Sequence, residues 1–165
     1  MFTETGMGGS LAHPLFYLLF VMLASAAALT DLRERRIPND LVAAICFLAL
    51  LRHLDQGGLN GLLPTLPHAL NFALIAMVLL WLFARDMLGG GDVKMLAACA
   101  FFVGAGNQGT FFLLVALFGG LLAAGYLSIR SLHVVGMTQP LSLPYGVAIA
   151  SAGIAVASGN LSWML

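Results

Sequence analysis

Two of the seven acidic residues differ from the rest in their position along the chain. Asp31 directly follows the apolar segment 14–30, and Asp92 directly follows three glycines and opens another apolar segment. A carboxylate at the boundary of a long apolar segment is costly and suggests a functional site. Two aspartates that share one proton can hydrolyse a peptide without a metal, because like charges held close together do not both ionise. We therefore predict Asp31 and Asp92 to be a catalytic pair, one activating water and the other protonating the substrate.

The predicted helix ends assign different roles to the two carboxylates. Asp31 would lie at a helix C-terminus, whose partial negative charge opposes ionisation, and Asp92 at an N-terminus, whose exposed N–H groups favour it. This predicts Asp92 as the ionised base and Asp31 as the acid, titrating as one unit.

Each residue also has a plainer interpretation. Asp92 alone could be a helix N-cap, and Asp31 alone could be a charge balanced by Arg33 or Arg35.

Small residues precede Asp92. Gly89 and Gly91 have no Cβ and would allow an extended substrate strand to approach the carboxylate closely, although three consecutive glycines by themselves are typical of a turn. Further along, Lys94 could tune the pair or face lipid phosphate groups.

A proline and an asparagine follow the first predicted helix. Pro38 would keep the loop from joining the second helix, and Asn39 or Asp40 could cap that helix.

The elements that must position these residues are apolar helices. The chain is 61% hydrophobic and 8% charged, whereas soluble domains carry about 25% charged residues. Six apolar runs predict an all-α, polytopic integral membrane protein of about six transmembrane helices in a single domain, residues 1–165. The runs are 14–31, 40–54, 66–84, 93–105, 110–130 and 144–163. Crossing the bilayer takes roughly 20 helical residues, so the second and fourth runs are short and one of them could be re-entrant.

The basic residues predict the orientation in the membrane. With the N-terminus outside, six of the seven fall at the cytoplasmic ends of the runs and only Arg52 falls on the other side. The six are Arg33, Arg35, Arg36, Arg85, Lys94 and Arg130. Because the first 32 residues contain no Lys or Arg, we interpret segment 14–30 as a retained helix rather than a signal peptide. The catalytic pair would then face the cytoplasm.

Several classes of function do not fit this sequence. A net charge of zero argues against nucleic-acid binding. Cys46 and Cys99 form no Cys-x-x-Cys pair, so neither a cysteine zinc module nor a disulfide framework is expected. A metalloprotease would need histidines near the acids, and only His133 could come close. A phosphate-binding loop would need Ser or Thr after Lys94, where Met95 stands. We expect no metal and no cofactor.

Taken together, the motifs resemble those of the type IV prepilin peptidases, a family of Gly-x-Gly-Asp intramembrane aspartic proteases. An aspartate precedes an Ile-Pro-Asn turn over residues 31–39, a Gly-x-Gly-Asp motif covers residues 89–92, and Pro-Tyr-Gly occupies residues 144–146. The similarity extends over residues 14–158. It implies that Asp31 and Asp92 are the catalytic residues and that Gly89 and Gly91 are the motif glycines.

The resemblance also implies a reaction and a substrate. Members of this family remove the short cytoplasmic leader from prepilin or pseudopilin helices at the inner face of the plasma membrane. Larger members carry a cytoplasmic region with two Cys-x-x-Cys pairs linked to N-methylation, and this sequence has no such pairs. It therefore resembles the short, peptidase-only members of the tight-adherence (Flp) or preflagellin type.

Two other functions remain as alternatives. A small ion-coupled transporter or channel could use the same two carboxylates, but transport sites tend to lie near the membrane midplane, whereas both aspartates are predicted at one face. A purely structural pilus-assembly subunit would keep the helices and need neither aspartate.

Overall fold

The computed structural model describes residues 12–57, 62–132 and 144–161, and the side chains of 14–55, 70–128 and 144–159. Within these ranges the chain forms six α-helices, and a 3₁₀ turn at Ala105–Asn107 joins the fourth to the fifth. The helices are α1 (Ala12–Glu34), α2 (Asn39–Gly57), α3 (Leu62–Ala84), α4 (Gly90–Val103), α5 (Gln108–Leu132) and α6 (Tyr145–Leu161). Each corresponds to one predicted apolar run, so the all-α prediction is confirmed for the described residues.

The short fourth run becomes the central helix of the bundle. At about 1.5 Å per residue, the 14 residues of α4 span about 21 Å, less than the roughly 30 Å of a hydrocarbon core. Eight of its side chains are buried, and α2, α3, α5 and α6 all pack against it. A helix that is apolar on all sides is typically buried in this way. Protein therefore surrounds α4, which explains why a short helix suffices there.

Side chains of α2 cover the C-terminal end of α4. The guanidinium of Arg52 donates a hydrogen bond to the carbonyl oxygen of Phe102, and Nε2 of His53 lies 2.9 Å from the carbonyl oxygen of Phe101. The last carbonyls of a helix have no partner within the helix. Here α2 supplies partners, and the chain leaves α4 at Gly104, whose φ of 80° is in the region that favours glycine.

The outer surface of the bundle is strongly apolar. Among the described residues, Pro14–Glu34 and Ala105–Ser128 are long and apolar enough to cross a membrane. Most of their side chains are not buried, and large apolar groups such as Leu18 and Leu121 are 58% and 72% exposed. Such a surface is typical of a membrane-facing helix bundle. The count of six crossing helices stays a prediction.

The helices place the chemical residues at one end of the bundle. The end of α1 and the starts of α2 and α4 line a common cavity, and α6 begins in contact with Asp31. We call this the dyad end, and we call Asp31 and Asp92 the dyad. Arg52 and His53 lie at the opposite end, beside the last carbonyls of α4. The location of Arg52 at the end opposite the dyad agrees with the predicted grouping of basic residues. The orientation of the bundle in the membrane stays a prediction.

Candidate active site

A cavity of about 740 Å³ opens at the dyad end. It is bounded by the last turn of α1, the 35–38 loop, the start of α2 and the start of α4. All seven residues that the sequence analysis singled out line it: Asp31, Pro38, Asn39, Gly89, Gly91, Asp92 and Lys94. Tertiary structure therefore brings together two motifs that are at least fifty positions apart in the sequence.

Asp31 lies in the last turn of α1 and is nearly buried, with 7% of its surface exposed. Its Oδ2 accepts a hydrogen bond of 2.8 Å from the backbone N–H of Gly146, in the first turn of α6. The helix ends just beyond it, at Glu34, and is followed by Arg35, whose φ of 51° is left-handed. The carboxylate thus faces the interior between α1 and α6, while the chain turns away towards α2.

Asp92 is the third residue of α4 and not its N-cap. The helix begins at Gly90, Gly89 is the capping residue, and the N–H of Val93 donates to the carbonyl oxygen of Gly89 at 3.0 Å. The plainer interpretation of Asp92 as a cap is therefore wrong. The interpretation of all three glycines as a turn is also wrong, because Gly90 and Gly91 are helical.

The electrostatic setting of Asp92 differs from the one expected from the helix end alone. Asp92 precedes the apolar run 93–105 and lines the open cavity. Burial, and then the nearby charge of Asp31, raise the pKa of Asp92 from 3.8 to about 6. These two effects outweigh the helix N-terminus, which favours the ionised form. Asp92 is therefore a carboxyl that holds its proton at mildly acidic pH, which argues against its predicted role as the ionised base.

The two motif glycines have different neighbours. A Cβ on Gly89 would lie 3.0 Å from Oδ2 of Asp92, so the glycine leaves the space beside that carboxylate open. Its φ of −66° suits any residue, so the reason for glycine is space and not backbone conformation. A Cβ on Gly91 would instead lie 3.5 Å from Cβ of Ile37, which is buried under the start of α4.

A second contact joins the same two motifs. Nζ of Lys94 donates a hydrogen bond of 3.0 Å to Oδ1 of Asn39, the first residue of α2. The carbonyl oxygen of Pro38 accepts from the N–H of Val42 and so begins the hydrogen-bond ladder of α2. The Ile-Pro-Asn segment is thus held against the start of α4 by packing at Ile37 and by this hydrogen bond at Asn39.

Gly146 contacts the dyad, and the sequence analysis assigned it no role. Residues 144–146 entered only as part of the resemblance, and nothing local in the sequence indicates that a backbone N–H there meets Asp31. The neighbouring Tyr145 packs closely on α5, where a Cβ on Gly119 would lie 2.6 Å from Cζ of its ring. The small residue at 119 and the small residue at 146 together allow α6 to start at the dyad.

The chemistry available at the cavity is that of two carboxyl groups. Among the residues whose side chains are described, no group of three His, Cys, Asp or Glu could hold a metal ion. His133, the candidate ligand named from the sequence, lies outside the described residues. The expected absence of a metal and a cofactor stays a prediction.

Residues 17–124, more than half of the chain, match the Type IV leader peptidase family. The chain belongs to this family. It is also similar to the "Prepilin leader peptidase/N-methyltransferase" of Bacillus subtilis (strain 168), with 30% identity over 159 residues. That similarity covers 93% of this chain and 60% of the relative's length. No solved structure is detectably similar.

The leader peptidase family match includes both carboxyl groups of the dyad. Asp31 and Asp92 fall within residues 17–124, together with the Ile-Pro-Asn segment and the motif glycines. The match ends within α5, so α6 and Gly146 lie beyond it. The family resemblance inferred from the motifs is thereby confirmed.

Proposed function

We propose that this member of the leader peptidase family is an intramembrane aspartic endopeptidase that removes the short leader from prepilin-like substrates. One observation carries the proposal: two aspartates from different helices line a single cavity, where burial and then the charge of Asp31 raise the pKa of Asp92. Two carboxyl groups in one cavity, one of them with a raised pKa, are typical of acid–base sites. The proposal concerns the peptidase reaction alone, because the chain spans 60% of the length of its curated relative.

The geometry supports a division of roles opposite to the one expected from helix ends. Oδ2 of Asp31 already accepts the N–H of Gly146, which leaves its other oxygen for a water molecule, and we assign Asp31 as the base. Asp92, whose pKa is about 6, carries the shared proton and is the acid. Binding a substrate excludes water from the cavity and raises the pKa of Asp92 further, so the singly protonated dyad is populated when it is needed.

The reaction then proceeds without a covalent intermediate. Asp31 takes a proton from a water molecule, whose oxygen attacks the scissile carbonyl carbon, while Asp92 gives its proton to the carbonyl oxygen. The resulting diol collapses as Asp92 takes that proton back from the hydroxyl. Asp31 delivers its proton to the departing amine, and the peptide C–N bond breaks. The dyad ends with one proton, as it began.

The placement of the dyad at one end of the bundle supports a site at the membrane surface. We propose that all six helices cross the inner membrane, with the N-terminus outside and the dyad end in the cytoplasm, since most basic residues cluster there. A substrate helix lying among the helices in lipid would bring its leader junction to the depth of the cavity. Prepilin or pseudopilin helices, with the lipid bilayer, are therefore the proposed partners.

The test is co-expression with candidate prepilins, with loss of the leader scored by a shift on a gel. Asp31→Asn and Asp92→Asn should each remove nearly all cleavage, and the double variant should be hardly worse than either single one, because the two residues act as a unit. Asp40→Asn and Asp86→Asn are the matched controls and should cleave normally. Near wild-type cleavage by Asp31→Asn would overturn the proposal.

A further inference from the structure

We propose that Gly146 is a positioning residue for the dyad: its backbone N–H holds Oδ2 of Asp31, and its lack of a side chain lets α6 come close enough to do so. This inference rests on the proposed function and assigns a role to α6, which lies beyond the residues that match the family. The hydrogen bond is 2.8 Å long, is buried, and joins residues 115 positions apart.

The approach of α6 to α1 leaves no room for a side chain at this position. A Cβ on Gly146 would lie 2.7 Å from Oδ2 of Asp31 and 3.0 Å from both its Cβ and its Cγ. Contacts this short force a shift of the carboxylate or of the helix. Asp31 itself has little freedom to yield, because it is 7% exposed and belongs to the last turn of α1. Glycine at 146 is therefore required by the position of the carboxylate.

The N–H that meets Asp31 is one that α6 does not use internally. Tyr145 is the first residue of α6, so Gly146 lies in the first turn, whose N–H groups have no partner within the helix. Such groups carry the positive end of the helix dipole and favour a carboxylate. The bond thus serves both partners: it satisfies a buried N–H group and stabilises the charged form of Asp31.

The contact also determines which oxygen of the dyad can carry a proton. With Oδ2 of Asp31 accepting the N–H, the shared proton is kept away from that oxygen, and rotation of the carboxylate is restrained. Asp92, raised to a pKa of about 6, is the better proton carrier. Gly146 therefore acts through Asp31 by holding its carboxylate in a fixed orientation, and it touches no substrate atom in this role.

The first experiment measures cleavage of a prepilin that the wild-type protein processes. Gly146→Ala should lower kcat roughly 100-fold, as expected for a catalytic group displaced by about 1 Å, with little change in KM. Its pH profile should move to higher pH, since a dyad that loses a donor to its charged form holds its proton longer. A wild-type kcat and an unshifted profile for Gly146→Ala would overturn the inference.

Gly153→Ala is the matched control for packing. Gly153 lies about two turns further along the same face of α6, and a Cβ there would lie 3.0 Å from Cζ of Phe20 in α1. Both variants should lose stability, but only Gly146→Ala should lose kcat and shift its pH profile. Equal kinetic losses in the two variants would show a merely structural role and would overturn the inference.

A second variant covers the case in which Gly146→Ala fails to fold. Replacing Gly146 by its α-hydroxy analogue, glycolic acid, through nonsense suppression in cell-free translation converts the amide into an ester. This removes the N–H and adds no atom that could clash. The ester protein should fold, keep KM and show the same lower kcat and shifted pH profile. Wild-type kinetics in the ester protein would overturn the inference.

The contact is also measurable without substrate, which separates this inference from the proposed function. The amide of Gly146 should exchange its hydrogen slowly in the wild-type protein and faster in Asp31→Ala, because first-turn amides otherwise lack a partner. Equal exchange rates in the two proteins would overturn the positioning role. If exchange differs but Asp31→Asn still cleaves, the proposed function fails while the contact stands. If Asp31→Asn is inactive and Gly146→Ala cleaves at the wild-type rate, the proposed function stands and the positioning role of Gly146 fails.

Discussion

Lys94 donates a hydrogen bond from Nζ to Oδ1 of Asn39 at 3.0 Å, and this bond ties the fifth residue of α4 to the first residue of α2. From sequence, Lys94 was expected either to tune the dyad or to face lipid phosphates. The structure shows its ammonium bridging two walls of the cavity. Asp92 and Lys94 line the same cavity, so we expect loss of the bridge to alter the site around the dyad.

Removing either end of this bridge should affect turnover more than stability. Both groups are exposed, so the hydrogen bond contributes less than about 1 kcal/mol to folding. Lys94→Met and Asn39→Ala should each lower kcat, and the double variant should be no worse than the more impaired single one. Cleavage assays with chemical denaturation would measure both quantities. Arg33→Met is the control, because it removes an exposed basic residue that does not line the cavity. Additive losses of kcat in the double variant would contradict the coupling between Lys94 and Asn39.

Gly89→Ala should impair the chemistry and leave the fold intact. The backbone at Gly89, with φ −66° and ψ 143°, suits alanine, so the change adds no backbone strain. The new Cβ would lie 3.0 Å from Oδ2 of Asp92 and crowd that carboxyl. We expect a loss of roughly 100-fold in kcat with unchanged helicity by circular dichroism. Gly109→Ala is the control and should behave like wild type, because a Cβ there would meet no described atom within 4 Å. A wild-type kcat for Gly89→Ala would refute the inference that Gly89 keeps space open beside Asp92.

Asp92→Asn should stabilise the protein at pH 8 but not at pH 4. The folded-state pKa of Asp92 is raised from 3.8 to about 6, so between these values the unfolded chain loses a proton that the folded protein keeps. Stability therefore falls as the pH rises through this window, and the penalty is fully present above pH 6. The shift corresponds to at most about 3 kcal/mol, which solvent screening of this partly exposed group reduces to about 1 kcal/mol.

Denaturation midpoints of the Asp92→Asn and wild-type proteins in detergent at the two pH values would measure this difference. Asp40→Asn, at an exposed position in the first turn of α2, is the control and should show no such pH-dependent gain. A gain for Asp92→Asn at pH 4 with none at pH 8 would have the wrong sign for a carboxyl group destabilised by burial.

Cleavage should survive EDTA and reagents directed at serine or cysteine nucleophiles. The proposed reaction uses neither a metal nor a covalent intermediate, and both cysteines lie within apolar helices away from the cavity lining. Cys46→Ala and Cys99→Ala should therefore retain activity, although the fully buried Cys99 should tolerate only small apolar residues. Activity lost in EDTA and restored by zinc would rule out the aspartic mechanism.

Cysteine labelling in intact cells would test the proposed topology. In a Cys46→Ala, Cys99→Ala background, single cysteines replacing Arg35 and Arg130 should react only from the cytoplasm, and one replacing Gly57 only from outside. The reason is that Arg35 directly follows α1 at the dyad end, whereas α2 runs away from that end and finishes at Gly57. Labelling of all three positions from the same side would mean that the helices do not alternate across the membrane as proposed.

The sequence by itself determined the helices, the two aspartates proposed as the catalytic pair and the two motifs around them. These features are local: apolar runs of sufficient length form helices in lipid, and glycine, proline and charged residues mark their ends. Asp31 and Asp92 were identifiable because each stands at such an end. The same local rules failed at residues 90–91, where two glycines continue into α4 because Gly91 packs over Ile37.

Only the tertiary structure determined the burial of Asp92 and the contact that holds Asp31. The helix ends predicted Asp92 as the base, but the pKa of a group depends on its burial and on nearby charges, which local sequence does not specify. The contact between Asp31 and Gly146 spans 115 positions and depends on which faces of α1 and α6 pack together. Apolar helices of similar composition can pack in many ways. Close approach of their backbones, permitted at Gly146 and Gly119, selects the arrangement that places α6 at the dyad.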